Sequence, residues 1–252
     1  MKKLLLCLAP LLVSCSQPPA PSLTSPSPTA AAELPHSETP PDKGQQLFTQ
    51  TYQLLPSQFQ ARLNCNSCHL AGGTSSGAFA LVGVAKTYPK LDPRLGHKIT
   101  IRQRINECFT RSLNGRPLDE KSPEMEALLA YLDTVQAPPG KPAPVPGLIA
   151  LAAPPQPADP KRGASVYNQK CVECHQADGG GQYVDNLPLF PALWGDKAYN
   201  DGAGLAQPKD LASFVHAKMP LGRTRAISPQ EAWDVAAFID SQPRPAYTGK
   251  PH

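Results

Sequence analysis

The chain has little with which to build a large core or to hold itself in a membrane. Aromatic residues make up 6% of it, with two tryptophans, and methionine occurs three times. Beyond the first fifteen residues no segment is apolar enough to cross a bilayer as a helix. Neither sign of charge dominates. Lys and Arg number 24 against 20 Asp and Glu, a formal net charge of +4, which makes no case for a nucleic-acid partner. A basic surface of that size can still steer anions or an acidic redox partner. Proline is the exception to this scarcity. Its 31 copies and the shortage of aromatics mean that much of the chain is linker and loop.

What is present begins at the N-terminus. Lys2 and Lys3 precede a short apolar run from Leu4 to Val13, the pattern of a secretory signal. It closes on Leu12-Val13-Ser14-Cys15, which resembles a bacterial lipobox. Cleavage before Cys15 would leave that cysteine to carry lipid, and Cys7 would depart with the signal. The expected organisation is a signal over 1–14 and a Pro/Ser/Thr-rich tether over 15–41. A folded unit over 42–136 follows, then a Pro/Ala-rich linker over 137–158 whose apolar patch, Leu148 to Leu151, lies along the surface. A second unit spans 159–252. Each unit opens with a helix start, at Asp42 and Asp159, and closes with a Ser-Pro cap, at Ser122-Pro123 and Ser228-Pro229.

Four of the seven cysteines form two Cys-x-x-Cys-His motifs, Cys65–His69 and Cys171–His175. Each is the attachment sequence of a c-type haem. The thiols Cys65, Cys68, Cys171 and Cys174 become thioethers, and His69 and His175 become proximal iron ligands. Helix, motif, loop-rich middle, capped helix: this order resembles the cytochrome c fold, twice. The expected fold class is all-α, two cytochrome c-type domains each binding one covalently attached haem, joined by a Pro/Ala-rich linker. At about a hundred residues each, such units draw much of their core from the haem itself.

The distal ligands differ between the units. In the second, Lys218-Met219-Pro220 lies ahead of the last helix, and Met219 is the expected donor. A neutral thioether favours ferrous iron and a higher potential. Lys218 could coordinate only when deprotonated, and by default it is a solvated cation. The first unit has no Met-Pro pair. Met125 sits on the apolar stripe of its last helix, as a core residue would, which leaves His97 and Cys108. Cys108 lies 39 residues after His69, and Met219 lies 44 after His175. The similar spacing favours Cys108. Arg94, Arg102, Arg104, Arg111 and Arg116 bracket it, and a neighbouring guanidinium lowers a thiol's pKa. On a helix, Arg104 and Arg111 would share its face.

The stretch Arg104-Ile105-Asn106-Glu107-Cys108-Phe109-Thr110-Arg111-Ser112-Leu113-Asn114-Gly115 closely resembles the active-site stretch of dihaem thiosulfate dehydrogenases, and the Lys218-Met219-Pro220 loop agrees with it. The resemblance covers roughly Asp42 to Gln242. It implies a periplasmic, all-helical enzyme in which haem 1, held by His69 and Cys108, is catalytic. Haem 2 would be held by His175 and Met219, with Lys218 able to replace Met219 in the oxidised state. It implies that Arg94, Arg104, Arg111 and Ser112 line a pocket for thiosulfate, a dianion that guanidinium forks bind through paired oxygens. It also implies tetrathionate as product and an external electron acceptor such as a c-type cytochrome. A plain dihaem electron carrier, a haem subunit of a sulfur-oxidising complex and a dihaem peroxidase remain as alternatives. The first would use His97 or Met125 as its distal ligand.

Overall fold

The computed structural model describes residues 39–249 except 138, 141, 186, 224 and 225. The expected signal, Cys7, Cys15 and nearly all of the tether lie outside the described residues. Among the described residues no helix is long and apolar enough to cross a membrane.

The first unit contains α1 (Pro40–Thr49), α2 (Thr51–Leu54), a hairpin of β1 (Lys90–Asp92) and β2 (His97–Ile99), α3 (Ile101–Glu107) and α4 (Pro123–Thr134). The second contains α5 (Pro160–Lys170), α6 (Val172–His175), a hairpin of β3 (Gln182–Val184) and β4 (Leu187–Phe190), α7 (Pro208–Lys218) and α8 (Pro229–Asp240). The fold is thus helical as expected, with two short antiparallel hairpins added. The caps explain the helix starts. Ser122 and Ser228 each accept from the backbone N–H three residues on. The first helix starts at Pro40, two residues before the expected boundary at 42. Thr39 caps it, its hydroxyl bonding the Asp42 carboxylate at 2.7 Å, and proline suits a first helical turn.

The same helix crossing is built twice. α1 packs on α4 and α5 on α8. At the contact points stand Gly44 and Gly163. A Cβ on Gly44 would lie 2.0 Å from the Ala127 carbonyl oxygen and 2.6 Å from Tyr131 Cβ. On Gly163 it would lie 2.0 Å from the Asp234 carbonyl oxygen and 2.8 Å from Phe238 Cβ. Backbone cannot retreat from such an overlap cheaply. Gly163→Ala is therefore expected to destabilise the holoprotein by about 3 kcal/mol, read as a lower Tm at unchanged haem content.

Asp234 locks the second crossing. Its side chain is 4% exposed and accepts from Arg162 Nε and Nη2 and from the Asp159 N–H, each at 2.8 Å, and from Gln230 at 3.0 Å. Burial pushes its pKa up, but these donors outweigh burial and hold it below the ordinary carboxylate value. A depressed carboxylate stabilises above its unfolded pKa, and the contribution is lost as pH falls through the folded value. Asp234→Asn is expected to flatten the fall of Tm on acidification below about pH 4; an unchanged slope would assign that acid sensitivity elsewhere.

Two hydrophobic cores result, and the boundary between them does not follow the sequence. The first contains Phe48, Phe59, Phe109, Leu128 and Tyr131, but also Tyr199, Ala203 and Ala206 from the second unit. The second contains Tyr167, Trp194, Val235 and Ile239. The linker packs along the second unit. Leu151 N–H donates to Ser213 Oγ at 2.9 Å, and the Trp233 indole donates to the Ala152 carbonyl at 2.8 Å. Of the apolar patch, Leu151 touches the core, whereas Ile149 is exposed.

Candidate functional site

The two Cys-x-x-Cys-His motifs are positioned differently, the first by a loop after α2 and the second by the end of α5. In the first, fully buried Thr51 takes the Cys65 N–H at 3.0 Å, and its hydroxyl donates to Cys65 Sγ at 3.4 Å. The chain then makes one tight turn, Cys65–Ser67, before Cys68 and His69. In the second, α5 runs directly into Cys171 and α6 carries Cys174 and His175. All four thiols are free. The histidines have matching partners: His69 Nδ1 meets the Phe79 carbonyl at 2.7 Å, and His175 Nδ1 meets the Pro191 carbonyl at 2.9 Å. A carbonyl only accepts, so Nδ1 carries the proton and the Nε2 lone pair is available to iron. Free paired thiols beside a histidine held in this tautomer fit a covalently attached haem at each motif.

The three cysteines of the first site differ in character. Burial pushes Cys65 and Cys68 up to about 12. Burial acts on Cys108 in the same direction, yet its pKa is lowered to about 7, because Arg104 and His69 face the sulfur. Arg104 Nη1 donates to Cys108 Sγ at 3.2 Å, and His69 stands near enough to the same sulfur to lower its pKa. Cys108 therefore stands at the histidine of the first motif, next to a fixed cation. It is placed there by local geometry: α3 gives way to a π-helical turn, Cys108–Ser112, that buries Phe109 and Thr110. Such turns recur at functional sites.

The wider turn alters the arginine ring expected from helical spacing. Arg104 is the arginine bonded to Cys108 among the described residues. Arg111 forms an ion pair with Glu107, reaches the Gly202 carbonyl at 3.4 Å and lies over the Tyr247 ring at 4.2 Å. Arg94, exposed on the first hairpin, also reaches the Gly202 carbonyl, at 3.5 Å. Both bracket the site from the side of the second unit. The Ser112 hydroxyl has no hydrogen-bond partner among the described residues. Arg102 pairs with Glu126, and Arg116 binds the Ser57 carbonyl; neither faces the sulfur.

Of the other distal candidates, His97 is exposed on β2 with its ring against the Leu95 carbonyl, and Met125 is fully buried in α4. Lys218 ends α7 and Met219 follows as its C-cap, packed against the second core. Sequence reasoning missed Tyr88, whose phenol stands close enough to Arg104 to feel its charge. It missed the closing segment 199–206 and Tyr247 as well. Asn200 of that segment binds the Thr110 carbonyl at 2.8 Å and Asn114 at 3.1 Å. No local pattern marks such residues. A cleft of about 500 Å³ lies between this segment and the first unit, lined by Gln58, Thr110, Asn114, Arg116, Asn200 and Tyr247, and Cys108 does not line it.

Residues 43–137 match the family model "SoxA/TsdA, cytochrome c domain", and 160–243 match "Cytochrome c". Two such domains carry two covalently bound c-type haems. The chain is 37% identical over 229 residues to the thiosulfate dehydrogenase of Psychrobacter arcticus, covering 86% of this chain and 70% of that one. It is 37% identical over 246 residues to that of Allochromatium vinosum, covering 94% and 90%. Among solved structures it matches thiosulfate dehydrogenase (TsdBA) from Marichromatium purpuratum with a TM-score of 0.79 and 32% identity. That match covers 89% of this chain and 50% of the solved one.

Proposed function

The chain belongs to the thiosulfate dehydrogenase family, and on that footing we propose that it joins two thiosulfate ions into tetrathionate on Cys108. The observation that carries this is the position of the Cys108 sulfur, beside His69 and within 3.2 Å of the Arg104 donor. In this reading His69 and Cys108 would hold haem 1, and His175 and Met219 would hold haem 2, with Lys218 able to take the place of Met219 in the oxidised state. The two folded units, about 42–136 and 159–252, divide the work into catalysis and electron exit.

Thiosulfate enters beside Arg104, whose fork offsets the charge of the dianion and binds its sulfonate oxygens. Arg94 and Arg111, both directed at the Gly202 carbonyl, hold the rim, and the Ser112 hydroxyl supplies a spare donor. The Cys108 thiolate leaves its resting place and bonds the outer sulfur of the first thiosulfate as two electrons are removed. The product is a Cys108–S–S–SO3 adduct of one negative charge. The outer sulfur of a second thiosulfate then attacks the thiosulfate-derived sulfur of the adduct. Tetrathionate leaves with two negative charges and Cys108 recovers its thiolate, so charge and electrons balance. When bound, haem 1 and haem 2 supply the electron path to an external acceptor such as a c-type cytochrome. Each step has a reverse, so the same residues would serve tetrathionate reduction.

The place of work in this reading is the periplasm, with the chain tethered to a membrane by lipid on Cys15. The test is anaerobic: purified holoprotein with thiosulfate and ferricyanide. Ferricyanide consumed at two per tetrathionate formed supports the reading. No turnover with both haems intact would overturn it in favour of a carrier or complex subunit.

A further inference from the structure

Phe79 touches both the histidine of the first motif and α7 of the second unit. Phe79 stands at φ +50°, a region that a bulky L-residue enters only when its surroundings impose it. Its neighbours are pinned. Ala78 and Ala80 are buried, and Ala80 exchanges both backbone hydrogen bonds with Gly147 of the linker, at 3.3 and 3.2 Å. This backbone lets Phe79 serve two sides at once. Its carbonyl holds His69 Nδ1 at 2.7 Å, and its ring meets the His69 imidazole edge-on, with centroids 5.9 Å apart. The same ring stacks on Phe214 of α7, centroids 6.2 Å apart and planes 28° from parallel. Phe214 is one turn before Lys218 on that helix. Two residues upstream of Phe79, Gly77 fits closely against the helix end. A Cβ there would lie 3.2 Å from Ala217 Cβ and 3.7 Å from Lys218 Cε. Holding His69 requires only a carbonyl, which any residue supplies. The aromatic ring and the unusual backbone are needed only for the second contact.

We propose that Phe79 is a positioning residue shared by the two haem sites. Its carbonyl sets the ring of His69, and its side chain, through Phe214, sets the end of α7 that presents Lys218 and Met219. A change of position at either site is thereby felt at the other. The proposal rests on the assignment of His69 and Met219 to the two haem irons given above.

The test uses holoprotein carrying Phe79→Ala, Phe79→Tyr or Phe214→Ala. Three signals are read: the electron paramagnetic resonance of ferric haem 1, the reduction potential of each haem, and the upfield methionine methyl proton resonance of ferrous haem 2. Phe214 makes no contact with His69 among the described residues. Phe214→Ala is nevertheless expected to split or broaden the haem 1 resonance and shift its potential. Phe79→Ala is expected to change the signals of both haems, and Phe79→Tyr, which keeps the ring, to restore both. Effects confined to the haem of the substituted unit overturn the proposal. Should Phe79→Ala fail to retain haem 1, Phe214→Ala decides alone. Absence of that methionine resonance from the reduced wild type would sink the Met219 assignment, while the effect of Phe214→Ala on haem 1 would still be read, so the two failures are distinguishable.

Discussion

The Cys108→Ala protein is expected to keep both haems and to lose thiosulfate turnover by about three orders of magnitude or more, the scale of removing a covalent nucleophile. Both haems survive because thioether attachment uses Cys65, Cys68, Cys171 and Cys174, none of which leans on the Cys108 sulfur. Phe109 and Thr110, which anchor the π turn in the core, are untouched. Alanine is preferable to glycine here, since glycine would add roughly 1 kcal/mol of backbone entropy to the folding cost. The measurement is steady-state ferricyanide reduction beside a haem stain and the visible spectrum. Turnover within tenfold of wild type would rule out a covalent role and leave Cys108 a dispensable ligand.

The second large effect is at Arg104. Arg104→Met is expected to lower kcat/KM for thiosulfate by about 10²–10³-fold, the range for one preorganised donor to developing charge. Two functions are lost together. The sulfur loses its 3.2 Å donor, and the dianion loses its cation. Burial, the strongest influence on Cys108, then acts without the guanidinium that opposes it, so the thiol rises and the acid limb of the rate profile moves to higher pH. Arg104→Lys restores the charge but not the planar fork, and should recover the pH limb better than it recovers KM. Equal recovery of both would mean that charge, not fork geometry, governs substrate binding.

The chain announces some of this plainly. Attachment motifs, Ser-Pro caps and the Lys218-Met219-Pro220 loop are contiguous patterns whose chemistry follows from their residue types. The nearness of Cys108 to His69 was also legible, because the 39-residue step between them is similar to the 44-residue step from His175 to Met219. The arginine ring was not. Arg111 shares a helical face with Cys108 on paper, but the π turn and Glu107 draw it toward Gly202 and Tyr247. The carbonyls that orient His69 and His175 belong to Phe79 and Pro191, and a backbone oxygen has no signature in a sequence. Gly44 and Gly163 likewise look like ordinary glycines until the two crossings put a carbonyl 2.0 Å from the missing Cβ.

The segment that roofs the first site comes from the far half of the chain: Asn200 meets Thr110 across 90 residues. The chamber therefore depends on both halves of the chain. The first half carries Cys65, Cys68, His69 and Cys108 but lacks the Gly202 carbonyl that Arg111 reaches and the Asn200 amide that holds the Thr110 carbonyl. A chain cut between the halves would keep the attachment residues of haem 1 and have no roof over Arg111.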